Sequence, residues 1–227
     1  MRLEPLACED PNPEEEIQRV VALVPRDDAA DRLARLTSLV GWGGALCEGP
    51  DFAGTADAVT DHDVAAATAL GGTIKVVACA TRDGTDVRAF LGPAFIDGAQ
   101  PLASLDQQSN GVQIDGRRAS SLHFFREAAT PRLFEGPAPP RTLACAPAVS
   151  GWFIRLSFPG LVPGDDAVRR LAFSAGLLTE QIARVDSSPS QRWLLAAPQC
   201  RSGIDHANTA LKARHRIHVT AFRRISA

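Results

Sequence analysis

The chain has 227 residues, 45% hydrophobic and 22% charged, with a formal net charge of −2. That length holds one large domain or two small ones, and the composition is ordinary for a globular protein. Near-neutral charge leaves no electrostatic footprint for nucleic acid or an anionic membrane, and no apolar run approaches the ~20 residues that span a bilayer.

The first sixteen residues, MRLEPLACEDPNPEEE, are acidic and lack an apolar core, so no secretory signal is expected and the protein is read as cytoplasmic. The cysteines, Cys8, Cys47, Cys79, Cys145 and Cys200, are odd in number, widely spread and never arranged as CxxC. A disulfide framework or structural zinc site is therefore not expected, and Cys79, in an apolar run, reads as a small core residue.

In chain order, residues 13–24 give a first helical pattern, with Ile17, Val20, Val21 and Val24 on one side, interrupted by Pro25. A second helix is expected over 27–40, with Ala30, Leu33, Leu36 and Val40 as its inner stripe and Gly41 to Gly44 ending it. Thr60-Asp61-His62-Asp63 is an acidic capping box announcing a third helix, with Val64, Ala67 and Leu70 inward and a stop at Gly71-Gly72.

Strand patterns follow. Runs 73–81 and 85–93 flank Asp83-Gly84, and Gln113-Ile114 and 117–125 flank Asp115-Gly116. Asp-Gly between apolar runs is a strong hairpin signal. Residues 127–150 are rich in Pro and Ala without period, a linker or long surface loop. After it come a strand at 152–158, a loop at 159–165, a helix at 166–175, strands at 178–185 and 192–197, a helix at 202–214 capped by Ser202, and a strand at 216–225. The order βαββαβ is the ferredoxin-like arrangement. The fold class is α+β, helices on a mostly antiparallel sheet followed by a ferredoxin-like unit.

Several residues carry alternatives. Asp28 and Arg32, at i and i+4, are either a solvated ion pair or a catalytic pair facing a pocket. Lys75, among apolar neighbours, reaches solvent, a carboxylate or a ligand. His62 reads as a solvated first-turn residue, and no metal site can be assembled around it. The loop from Phe158 to Asp166 leads into a helix start, whose free backbone N–H groups suit a carboxylate; a purely packing and dimer-forming role is the other reading. Strands such as 192–197 are candidates for pairing between subunits of a homodimer.

Taken together, "EGP" at Glu48, Thr60 to Val64, "ALGGTIKVVACATRDGTDVRAFLGPAFI" and "PLASLDQQSNGV" resemble the catalytic domain of homoserine dehydrogenase. The matching residues are Leu70, Gly71, Ile74, Lys75, Pro93, Pro101, Leu102, Ala103 and Asn110, and "DDAADRLARL" resembles the family's Asp-x-Ala-x-Lys-Leu helix. The tail is similar to an ACT domain, with Pro159-Gly160-Leu161 for its Pro-Gly-Val and Ser157 where it has Asp. The implied division is 1–126 catalytic-like, 127–150 linker and 151–227 ACT-like.

The resemblance implies an active-site aspartate at Asp28 and puts Arg32 where the family has its active-site lysine. It makes Lys75, Glu48 and Ser104 substrate-binding candidates, and Pro159, Gly160, Leu161 and Asp165 the ACT ligand loop. The departures are as informative. No Gly-x-Gly-x-x-Gly follows a strand, the Asn-Gly-Thr-Thr-Asn segment is missing, and the Glu-Pro-Asp-Pro loop is reduced to "LVPR". Arginine stays protonated, so it clamps an anion and shuttles no proton. The expectation is a chain without cofactor or metal that has left NAD(P)-dependent redox chemistry. It would act on a small amino-acid-derived carboxylate by cyclisation, elimination or condensation in specialised metabolism. Two alternatives stand beside it: a non-catalytic amino-acid-sensing regulator of a partner subunit, and a homoserine dehydrogenase whose nucleotide domain is supplied in trans.

Overall fold

The structure, a computed structural model, describes residues 17–23, 37, 45–46, 59–83, 86–105, 110–116, 120–125, 141–142, 151–198 and 201–225. Its strands are β1 (Ile17–Leu23), β2 (Ala45–Leu46), β3 (Gly72–Asp83), β4 (Asp86–Asp97), β5 (Asn110–Gly116), β6 (Ser120–Phe125), β7 (Arg141–Thr142), β8 (Trp152–Ser157), β9 (Thr179–Ala183), β10 (Gln191–Ala196) and β11 (His218–Ile225). Its α-helices are α1 (Asp61–Ala69), α2 (Asp165–Ser174) and α3 (Arg201–His215), and a 3-10 turn spans Pro101–Ser104. The α+β expectation holds: helices pack on a nine-stranded sheet of order β6-β5-β1-β3-β4-β11-β8-β10-β9, antiparallel except where β11 runs parallel to β4.

The first predicted helix is a correction. Ile17 to Leu23 is a strand between β3 and β5, with Val21 opposite both Cys79 and Gln113. A short run rich in β-branched residues fits helical and extended periods alike, and pairing on both sides settles the matter. Val21 and Leu23 are buried there. Of the second predicted helix only Thr37 is described, helical and fully buried; the rest lies outside the described residues.

α1 forms as its capping box predicts. The Thr60 hydroxyl accepts from Asp63 N, and the Asp63 carboxylate accepts from Thr60 N. The inward stripe differs by one position: Asp63, Ala66, Ala67 and Leu70 are buried, and Val64 is exposed. The Asp63 carboxylate has taken the inward place because it receives donors from beneath the helix. Both predicted strand pairs form, β3 with β4 from Gly72↔Asp97 to Asp83↔Asp86 and β5 with β6, but Asp83 is the last residue of β3 and Asp115-Gly116 ends β5, so neither Asp-Gly pair is the link itself. Most of 127–150 lies outside the described residues, but Arg141–Thr142 pairs with Ala45–Leu46 as a small parallel ladder. Helix α3 starts at Arg201, so Ser202 lies in its first turn instead of capping it.

Residues 152–225 form the βαββαβ unit with strand order β11-β8-β10-β9, the fourth, first, third and second strands of the motif. Strand alternation distributes its core to two faces. Trp152, Ile154, Leu156, Leu194 and Ala196 meet α2 and α3 through Val168, Ala172, Ile204, Ala207 and Leu211. Phe153, Trp193, Leu195 and Phe222 meet α1, Ile74 and Phe95 on the opposite face. Phe95 stacks on Phe153 at 5.4 Å between centroids. The 3-10 turn covers the first face farther along the sheet, where Leu102 packs with Val77, Cys79, Phe90 and Ile96. Between these two clusters the Arg223 guanidinium lies 4.9 Å from the Phe90 ring centroid and 5.5 Å from that of Trp152.

The strand at 192–197 is another correction. β10 is flanked by β8 and β9, so both its edges are occupied, and β9 closes that end of the sheet.

Candidate functional site

Lys75 and Ser104 meet at one place. Lys75 lies on the β3 face that also carries Val77 and Cys79, and is 5% exposed. Its Nζ donates to the carbonyls of Leu102 at 3.0 Å and Ala103 at 2.9 Å and to that of Leu105. The ammonium thus holds the end of the 3-10 turn. Ser104 is exposed on the same turn, its hydroxyl donating to Pro101 O at 2.8 Å. Beside them a buried pair, Gln113 Nε2 to Gln100 Oε1 at 2.8 Å, ties the start of the turn to β5.

Asp28, Arg32 and Glu48 lie outside the described residues. His62 is half-buried on α1, and among the described residues no cluster of His, Cys, Asp or Glu is placed to hold a metal. Among the described residues, too, no helix is long and apolar enough to cross a membrane.

A second constellation lies at the β8–α2 loop. Phe158 N anchors the loop to Ser190 O at 2.9 Å, and Val162 is buried while Leu161 is 93% exposed. Pro159 and Gly160 are exposed as well, with open space where a Gly160 Cβ would stand. Gly164 caps α2 without a side-chain cap, leaving first-turn N–H groups to solvent or ligand. Asp165 opens the helix, where a carboxylate is favoured. Its Oδ1 lies 2.9 Å from Arg184 Nη2 and 3.7 Å from Arg192 Nε.

Two guanidinium groups therefore share one carboxylate oxygen. Arg192 is 9% exposed and donates from Nη1 to Gln191 O at 2.6 Å. Burial, and next the Arg184 charge, push Arg192 below its ordinary value, against a smaller upward pull from Asp165. The loop's first hydroxyl, Ser157 Oγ, accepts from Gln191 Nε2 at 3.4 Å.

Sequence reasoning missed both arginines. The signal was in the topology. In a βαββ unit the end of the first strand, the end of the second and the start of the third lie at one end of the sheet. Residues flanking the Ser187–Ser190 turn therefore arrive beside the β8–α2 loop.

Comparison with known proteins adds a family signal to this geometry. Residues 27–132 match the family model described as homoserine dehydrogenase. A homoserine dehydrogenase of Bacillus subtilis is 27% identical over 71 residues, 31% of this chain and 16% of that relative. In fold, the chain is similar to a homoserine dehydrogenase from Thiobacillus denitrificans, with a TM-score of 0.60 and 13% identity, over 93% of this chain and 65% of that one. It is similar to the S. aureus homoserine dehydrogenase structure at pH 7.5 with a TM-score of 0.67 and 12% identity, over 94% of this chain and 65% of that one. The chain thus spans about two thirds of the length of these solved relatives. Asp28, Arg32, Lys75 and Ser104 all fall within the matched segment.

Proposed function

We propose that the chain, whose residues 27–132 match the homoserine dehydrogenase family model, acts on a small amino-acid-derived carboxylate, and does so without hydride transfer. Asp28 is the general acid or base. Arg32 is the anion clamp, its planar fork suited to a carboxylate. The turn that carries Ser104 borders the substrate. Cyclisation, elimination or condensation suits this pair, since each needs one proton-transferring group and one fixed positive charge.

The single observation behind this reading is the arginine at position 32. The family pattern has lysine there, and a guanidinium cannot give up its proton at ordinary pH. A site holding arginine binds as before but has lost one proton donor.

The test uses the full chain with a panel of amino-acid-derived carboxylates, read by mass spectrometry, alongside homoserine or aspartate semialdehyde with NAD(P)(H). Consumption of a panel member without nicotinamide turnover, abolished in Asp28→Asn with the fold intact, supports the proposal. Nicotinamide-dependent turnover of homoserine restores the dehydrogenase. An unimpaired Asp28→Asn removes the aspartate from the mechanism.

A second reading, amino-acid sensing at an ACT-like loop, is favoured by the shared Asp165 oxygen. Arg184 and Arg192 bring two positive charges to one acidic group there, and a ligand carboxylate at Gly160–Gly164 would supply another. Under it, Arg192→Gln removes ligand-induced stabilisation while Asp28→Asn leaves it unchanged. In either reading a homodimer would pair through β9, whose outer edge ends the sheet among the described residues. Sedimentation of the full chain, with a proline placed at Gln181, tests that edge.

A further inference from the structure

The three carbonyls that receive Lys75 come from a short stretch, Leu102, Ala103 and Leu105, at the end of a 3-10 turn. The last carbonyls of such a turn have no partner within it, and their dipoles converge on the space beyond the chain end. Leu102 is fully buried and anchors one side of the turn by apolar contact. On the other side stands a buried ammonium, with three N–H donors and no acceptor. Several oxygens around one small cation is the arrangement by which carbonyl groups replace a hydration shell.

We propose that these carbonyls form a cation site that the chain fills with its own Lys75. Lys75 is then a positioning residue for the turn presenting Ser104, not a group that touches substrate. The cation site stands on the geometry alone; the part concerning Ser104 rests on the function proposed above.

The experiment is thermal melting of the full chain without substrate. Lys75→Met keeps the length of the side chain and removes its charge. It lowers Tm by about 6–12 °C, as expected when buried dipoles lose their ion. Lys75→Ala leaves a space shaped like propylammonium. Millimolar propylammonium raises the melting temperature of this variant saturably, while 1-propanol does not, and wild type responds to neither. Should Lys75→Ala fail to fold, its refolding yield in propylammonium against 1-propanol gives the same reading. A Lys75→Met variant melting with wild type, or equal rescue by the alcohol, overturns the cation site. Because the melts contain no substrate, an inactive pocket at Asp28 would sink the proposed function and leave this result untouched.

Discussion

The indole N–H of Trp193 donates to the carboxylate of Asp63 at 2.7 Å, joining residues 130 positions apart. The same carboxylate, fully buried, accepts from Thr60 N and Thr60 Oγ1 at 2.8 Å each and from Arg155 Nη1. Arg155 also donates from Nη2 to Thr220 Oγ1 at 3.2 Å. A helix of the amino-terminal half is therefore pinned onto β8, β10 and β11. On the far rim, Arg224 reaches Asp97 at 3.3 Å and Glu180, so β11 links β4 to β9 as well. Burial works against the Arg224 charge, yet hydrogen bonds to Glu180 and Asp97 carry its pKa above the ordinary value.

Replacing Asp63 by Ala strands the Arg155 charge and the Trp193 N–H in the interior. Removing one partner of such a buried pair costs about 3–5 kcal/mol. Urea unfolding followed by tryptophan fluorescence and by circular dichroism measures it. Wild type is expected to give one transition by both probes. A loss below about 1 kcal/mol would mean that water replaces the carboxylate at little cost.

Val21→Ala tests the burial of the first element. In an exposed helix, alanine would raise stability through its propensity. At a fully buried position of a strand between two others, the lost methyl groups lower stability by about 1–3 kcal/mol. Stabilisation on denaturant titration contradicts that burial.

Two glycines give opposite outcomes. A Cβ on Gly72 would stand 2.4 Å from Phe95 Cζ and 2.5 Å from Ile96 O. The backbone oxygen cannot rotate away, so Gly72→Ala destabilises by about 2 kcal/mol or more. A Cβ on Gly160 meets nothing within 4 Å, and Gly160→Ala stays within about 0.5 kcal/mol of wild type. Paired melts of the two variants check both, and equal losses would contradict the packing at β3.

Asp165→Asn leaves Arg184 and Arg192 facing each other across a neutral amide. The Arg184 side chain is 54% exposed, so the loss is modest, about 1 kcal/mol or less. It shrinks with salt, because screening weakens the repulsion it unmasks. Melting temperatures of wild type and variant in low and high salt should converge. A salt-independent difference would place the effect in the helix start.

Part of this architecture is written locally. Thr60 and Asp63 specify a helix start through bonds three residues apart, and the hairpins β3–β4 and β5–β6 follow from short turns between apolar runs. The βαββαβ order is equally local, since each element carries its own period. In the candidate site, the sequence singled out Lys75 and Ser104 but gave no sign that one holds the turn of the other.

By itself, then, the sequence determined the capping box of α1, the pairing of β3 with β4 and of β5 with β6, the order of elements from 152 to 225 and a match to the homoserine dehydrogenase family model over 27–132. Tertiary structure decided that 17–23 is extended, that Asp63 and not Val64 faces inward, that β10 lies inside the sheet, and that Arg184 and Arg192 converge on Asp165. The physical reason is range. Caps and turns are fixed by groups a few residues apart, whereas a seven-residue apolar run, a buried carboxylate or the parallel pairing of β11 with β4 is settled by partners that only the folded chain brings near.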